Sequence, residues 1–256
     1  ATPLPVSGPG WREVSTPSNW TGPKAQWIEV NAPQGRKLLA AVWRPAGTGP
    51  FPVVVLLHAS SGFSPSFVLL GRDFATSGFL TVAGGWFAGQ SPHWPAPLID
   101  IPEGPQFAGA TFESIKYADV IVKTARTLPG ANGKMVGLIG QSRGATASVL
   151  LASTGAAVQA VVADSANYTY QGPIDSPAMS VVQDLSAPLL ILHGTADQTV
   201  NVQEARDYEQ ALRRLNKPYE VKYYEGSSHV VTVRSNSNYA DAMGRAIAFF
   251  TRYLVP

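Results

Sequence analysis

Gly140-Gln141-Ser142-Arg143-Gly144 is the segment of this chain best suited to chemistry. It has the form G-x-S-x-G. An aliphatic run, Met135–Ile139, precedes it, and a stretch of small residues with a helical period follows from Arg143. A strand that turns directly into a helix leaves no room for side chains beside the turn, which accounts for Gly140 and Gly144. Such a turn lifts a serine hydroxyl above a sheet, at a helix amino end where negative charge is favoured. Ser142 is therefore the expected nucleophile.

A serine hydroxyl needs a base. The chain has four histidines: His58, His93, His193 and His229. His58 and His193 each close an aliphatic run, a position that usually makes structural contacts beneath a site. His93 lies in a loop rich in Pro and Trp and is expected to be exposed or to face substrate. His229 ends Glu225-Gly226-Ser227-Ser228-His229, a loop of small residues able to lean over a sheet. It is also last in the chain order serine, acid, histidine. His229 is the expected base. Its orienting carboxylate is expected to be Asp197, on the loop that follows Leu189–Leu192. The rival is Asp164, which closes the run before that.

These groups need a scaffold. Pro52–Leu57, Phe79–Ala83, Met135–Ile139, Val158–Ala163 and Leu189–Leu192 are continuous aliphatic runs, suited to strands buried on both faces. Val221–Tyr224 is a shorter candidate. Gln26–Val30 and Leu38–Arg44 flank a turn signal and read as a hairpin. Helical periods occupy Phe67–Ser77, Glu113–Thr127, Arg143–Ala152, Val202–Leu215 and Tyr239–Tyr253. Strand alternating with helix predicts an α/β fold with a mostly parallel, eight-stranded sheet and helices on both faces. Ligands then bind at the carboxyl ends of the strands. Residues 1–23 hold five prolines and read as an extended lead-in, and residues 24–256 read as one domain.

Composition excludes several alternatives. Hydrophobic residues make up 45% and charged residues 14%, so most of the chain can bury a core. The net charge is +2 with no basic block, which argues against a nucleic-acid partner. No apolar run approaches the roughly 20 residues of a membrane helix. There is no cysteine, so thiolate chemistry and disulfides are excluded. No metal and no cofactor are expected. A chain that starts at Ala1 without Met fits a processed form and equally a trimmed one; a secreted or periplasmic location is the expectation, with a cytoplasmic one as the alternative.

Taken together, the hairpin, Val53-Val54-Val55-Leu56-Leu57-His58, Gly140-Gln141-Ser142-Arg143-Gly144, His193-Gly194-Thr195-Ala196-Asp197 and Gly226-Ser227-Ser228-His229 resemble the α/β-hydrolase superfamily, in its dienelactone hydrolase-like branch. The resemblance spans about residues 25 to 254. It implies the Ser142, Asp197, His229 triad. It also implies an oxyanion hole made by the N–H of Arg143 and an N–H from Ala59-Ser60-Ser61-Gly62, with Ser60 ahead of Ala59. Two positions depart from dienelactone hydrolase itself. Ser142 replaces a cysteine, and Ala59 replaces a glutamate after the strand-end histidine. Both departures favour a serine esterase over lactone chemistry. The rival readings are a peptidase or acyltransferase on the same triad, or a non-catalytic binding protein on this fold.

The expected partner is a small-molecule ester. Gly85–Phe107, with Trp86, Phe87, Trp94 and Phe107, is long and stiff enough to form a binding wall. Phe63 and Trp86 are the expected substrate-binding residues. The stretch from Ser165 to Ala187 is too short for a large cap domain.

Overall fold

The computed structural model describes residues 7–89, 98–106, 110–169 and 178–255. The sheet is built from β1 (Ser7–Gly8), β2 (Trp11–Val14), β3 (Gln26–Asn31), β4 (Lys37–Trp43), β5 (Phe51–Leu57), β6 (Leu80–Gly85), β7 (Ala131–Gln141), β8 (Ala160–Asp164), β9 (Leu189–Gly194) and β10 (Tyr219–Tyr224). The helices are α1 (Pro65–Ala75), α2 (Ile115–Thr127), α3 (Arg143–Ser153), α4 (Val202–Arg214) and α5 (Tyr239–Leu254).

The strand order is β1-β2-β3-β4-β6-β5-β7-β8-β9-β10. From β6 to β10 every neighbouring pair is parallel. β1 to β4 add antiparallel strands at one edge, and β4 pairs antiparallel with β6. Among the described residues the sheet thus has ten strands where eight were expected. The two additional strands come from the Pro-rich lead-in, which pairs with the sheet through Trp11–Val14 on β3.

The alternation of β5 shows why the sheet sits between two helical layers. Val53, Val55 and Leu57 face the core that holds α2, α3 and α4. Val54 and Leu56 face the core that holds α1 and α5. A strand aliphatic at both parities is stable only when both faces are covered. Between Ser165 and Ala187 the described residues contain one 3-10 turn, Ala178–Asp184, and no large cap. Because β5 to β10 run parallel, the loops after β5, β7, β8, β9 and β10 all leave the sheet on one side. That side holds the candidate site.

Candidate active site

β7 ends at Gln141 and α3 begins at Arg143, so Ser142 alone makes the turn, at φ +50° and ψ −114°. A non-glycine residue with positive φ is strained and must be held by its surroundings. The N–H of Ser142 donates to the Asp164 carbonyl at 2.8 Å. The flanking glycines are required by contact. A Cβ on Gly144 would stand 2.0 Å from the Leu57 carbonyl oxygen, and one on Gly140 would stand 2.1 Å from Gly144 backbone.

Two further loops close on each other beside this turn. After β9, Ala196 N–H donates to the Ser227 carbonyl at 3.0 Å, and Thr195 N–H donates to the Tyr224 carbonyl at 2.9 Å. The pairing brings Asp197 to His229. His229 Nδ1 lies 2.7 Å from Asp197 Oδ2. An ionised carboxylate only accepts, so the imidazole proton sits on Nδ1 and Nε2 carries the lone pair. Asp197 Oδ1 accepts the N–H groups of Thr199 at 2.8 Å and Val200 at 2.9 Å. Burial alone would raise the Asp197 pKa. Hydrogen bonds from His193, His229 and the Val200 N–H outweigh it and hold the carboxyl well below its ordinary range.

Asp164, the rival acid, is placed differently. It is fully buried, and its carboxylate meets the loop just beyond His229. Oδ1 accepts the N–H of Val231 and the hydroxyl of Ser165, both at 3.1 Å. Oδ2 accepts the N–H of Thr232 at 2.7 Å and its hydroxyl at 2.5 Å. Burial pushes its pKa up, partly offset by these donors. Asp164 anchors the loop just beyond His229, whereas Asp197 touches the His229 ring.

Ser142 and His229 line one cavity of about 570 Å³, together with Ala59, Ser60, Ser61, Gln141, Thr199 and Arg234. Ser60 and Ala59 are thus on the wall expected to supply an oxyanion donor. Arg143 follows Ser142 at the start of α3, and its guanidinium lies over the Phe87 ring, 5.6 Å from the centroid. Arg234 was not singled out from the sequence. Its Nη2 contacts both oxygens of Asp73 at 2.5 Å, and the Tyr239 hydroxyl donates to the same carboxylate.

The structure places the two expected substrate-binding residues away from this cavity. Phe63 is 1% exposed and Trp86 0%. Neither lines the cavity. Both pack on the buried ring of His58, with centroids 5.9 Å away in each case. The Trp86 indole N–H donates to the His58 carbonyl at 3.2 Å. These aromatics support the strand end from beneath. His93, Trp94 and Phe107 lie outside the described residues. His58 donates from Nδ1 to the Ala59 carbonyl at 3.0 Å. Burial, assisted by nearby Arg143, pushes its pKa down to about 3 despite that bond. His58 is therefore a neutral core residue. Among the described residues, no cluster of three or more His, Cys, Asp or Glu could hold a metal ion.

Comparison with known proteins agrees with this fold. The Dienelactone hydrolase family profile matches residues 38–254. A Bradyrhizobium protein described as a probable 2-oxo-3-(5-oxofuran-2-ylidene)propanoate lactonase is 26% identical over 210 residues, covering 79% of this chain and 82% of its own. A structure assigned as a dienelactone hydrolase from Klebsiella pneumoniae superposes with TM-score 0.74 at 22% identity, over 90% of this chain and all of that one. The Pyrococcus furiosus esterase Pf2001 superposes with TM-score 0.73 at 17% identity, over 93% of this chain and 98% of that one.

Proposed function

The chain belongs to the dienelactone hydrolase family of hydrolases, and from that premise we propose that it is a serine carboxylic ester hydrolase acting on short-chain esters through an acyl-enzyme. One observation carries the reading. A serine on a strained strand-to-helix turn shares a cavity with a histidine whose Nδ1 is fixed 2.7 Å from a buried carboxylate.

His229 Nε2 takes the Ser142 proton as Oγ attacks the ester carbonyl. Asp197 holds the tautomer and stabilises the imidazolium. The tetrahedral oxyanion is met by the N–H of Arg143 and an N–H from the Ala59-Ser60 turn, each worth roughly 3–4 kcal/mol in such sites. The imidazolium then protonates the departing alkoxide, leaving an acyl-Ser142. Water, deprotonated by His229, releases the acid.

Two features support short, neutral esters. With no large cap among the described residues, an acyl chain soon reaches solvent, and burial returns about 0.8 kcal/mol per methylene only while the chain stays covered. The cavity guanidinium, Arg234, is balanced by Asp73. The test combines a fluorophosphonate label with p-nitrophenyl esters from acetate to palmitate, plus an unsaturated five-membered lactone, because the Bradyrhizobium relative is named for one. The wild type takes the label, Ser142→Ala does not, and kcat/KM peaks between acetate and about hexanoate. A Ser142→Ala protein with more than a few per cent of activity overturns the nucleophile. A laurate or palmitate optimum overturns the short-chain reading.

A further inference from the structure

His193 was expected to be a structural residue beneath the site, but the structure gives it a more specific place. Its side chain and that of Asp197 are both fully buried. His193 Nε2 lies 2.9 Å from the Val200 carbonyl oxygen and 3.3 Å from Asp197 Oδ2. Both neighbours are acceptors, so Nε2 carries the proton; its hydrogen bond goes to the Val200 carbonyl, and Asp197 Oδ2 is the longer, electrostatic contact. Nδ1 is buried, with no hydrogen-bond partner among the described residues. A second N–H on this ring would have nothing to bond.

Asp197 Oδ2 therefore stands between two imidazole N–H groups, His229 on the cavity side and His193 on the core side. Oδ1 is held by two backbone N–H groups. The carboxylate plane is fixed from three directions. Resting on the Ser142, Asp197, His229 reading, we propose that His193 is a positioning residue of this triad. Its Nε2–H locks the Asp197 carboxylate in the plane of the base and takes part of the negative charge that Asp197 would otherwise direct wholly at His229. His193 touches no reacting atom and acts only through Asp197.

The consequence has a sign. Without the His193 donor, Oδ2 interacts more strongly with the His229 imidazolium, so the base keeps its proton to higher pH. The carboxylate also gains freedom to rotate, which lowers turnover without touching substrate binding. A purely structural role would move neither the pH limb nor the ratio of kcat to KM.

The experiment compares His193→Phe, which keeps a flat ring but no donor, with His193→Gln, which returns an N–H near the same place. Active sites are titrated with fluorophosphonate so that only folded enzyme is counted. For His193→Phe, the acid limb of kcat/KM is expected to move up by about half a pH unit or more. Its kcat is expected to fall about tenfold, the loss expected of a hydrogen bond to a charged group, with KM unchanged. For His193→Gln the limb is expected to return towards the wild type. Folded His193→Phe with a wild-type limb overturns the inference, as does His193→Gln displaced equally far.

Asp197→Asn is run beside them. If it keeps its activity, the triad reading itself fails. If it is inactive while His193→Phe keeps a wild-type limb, only the role of His193 fails. A measurement on the unaltered protein guards against variants that do not fold. Nitrogen-15 NMR of labelled histidine is expected to show His193 as the Nε2–H tautomer, and an Nδ1–H tautomer overturns the proposal.

Discussion

The two buried carboxylates near His229 make opposite predictions, and Asn substitution separates them. In Asp197→Asn the amide oxygen can keep the Thr199 and Val200 N–H groups on the Oδ1 side. The NH₂ then replaces Oδ2 and points at His229 Nδ1, 2.7 Å away. Two donors cannot face each other, so the imidazole must move its proton to Nε2. That atom can no longer accept the Ser142 proton, and turnover is expected to fall by about 10⁴.

Asp164→Asn fails in a different way. Its carboxylate receives two backbone N–H groups, Val231 on one oxygen and Thr232 on the other. Whichever way the amide sits, its NH₂ opposes one of them. The Ser165 and Thr232 hydroxyls can rotate to accept, but a backbone N–H cannot. One buried donor is left unmatched, at about 1–3 kcal/mol, and one hydrogen bond to a charged group is lost, at a similar magnitude. The neutral amide recovers part of this, because burial already disfavours the Asp164 charge. A net loss of about 2–3 kcal/mol should lower the melting temperature by roughly 5–10 °C. Because Asp197 still orients His229, kcat per titrated site should stay within about tenfold of wild type, well short of the triad loss. Calorimetry and phosphonate-titrated kinetics on both variants provide the assay. If Asp164→Asn loses as much kcat per site as Asp197→Asn, the acid has been wrongly assigned.

Acid stability follows from His58, whose folded pKa is lowered from 6.5 to about 3. As pH falls from about 6.5 towards 3, the unfolded chain takes the proton first, so stability is full above that window and is lost within it. At about 1.4 kcal/mol per unit the loss amounts to several kcal/mol. His58→Phe should remove this pH dependence, and urea unfolding at pH 7 and pH 4 checks it; an unchanged difference between the two pH values refutes the assignment. Charge selection at the cavity follows from the Arg234–Asp73 pair. Asp73→Asn frees the guanidinium and should raise kcat/KM for mono-p-nitrophenyl succinate about two- to fivefold over p-nitrophenyl butyrate, the range for a partly exposed pair. An unchanged ratio would show that Arg234 does not sense substrate charge.

The parts of this molecule that were legible in the sequence are those where a period and a chemical requirement coincide. G-x-S-x-G between an aliphatic run and a run of small residues admits little besides the turn observed at Ser142. The five helical periods fall within two residues of α1 to α5 at both ends. The start of α1 was readable more closely than it was read. Ser64 accepts the Phe67 N–H at 3.3 Å, and Pro65 follows it, a cap-and-proline pair that marks a helix start. β2 was hidden by its flanking prolines, yet Pro9 and Pro17 both lie outside Trp11–Val14, so the strand keeps the N–H groups that pair it with β1 and β3.

Phe63 and Trp86 were misread for a geometric reason. Position after a strand says that a residue is near the site, but not whether it lies over or under it. For Trp86 the signal existed. Counting by twos along β6, Leu80, Val82 and Trp86 share one parity, and all three lie in the same core. Trp86 continues the buried face of its strand past the strand's end.

The choice between Asp164 and Asp197 depended on a contact that spacing does not encode, the Ala196–Ser227 hydrogen bond that folds one loop onto the next. His193 belongs to the same problem. Along β9 it has the parity of Leu189 and Ile191, the apolar positions of one core, and so reads as core. What distinguishes it is the turn that follows, where Asp197 N–H donates to the Gly194 carbonyl at 3.3 Å. That reversal carries the acid back over the strand end until its Oδ2 meets the ring of the residue four positions earlier. Here a histidine closing a parallel strand, followed by glycine and then by an aspartate at the fourth position, brings a core imidazole to the carboxylate proposed as the triad acid. The turn makes this pairing, and the Ala196–Ser227 hydrogen bond holds the same loop against the one that carries His229.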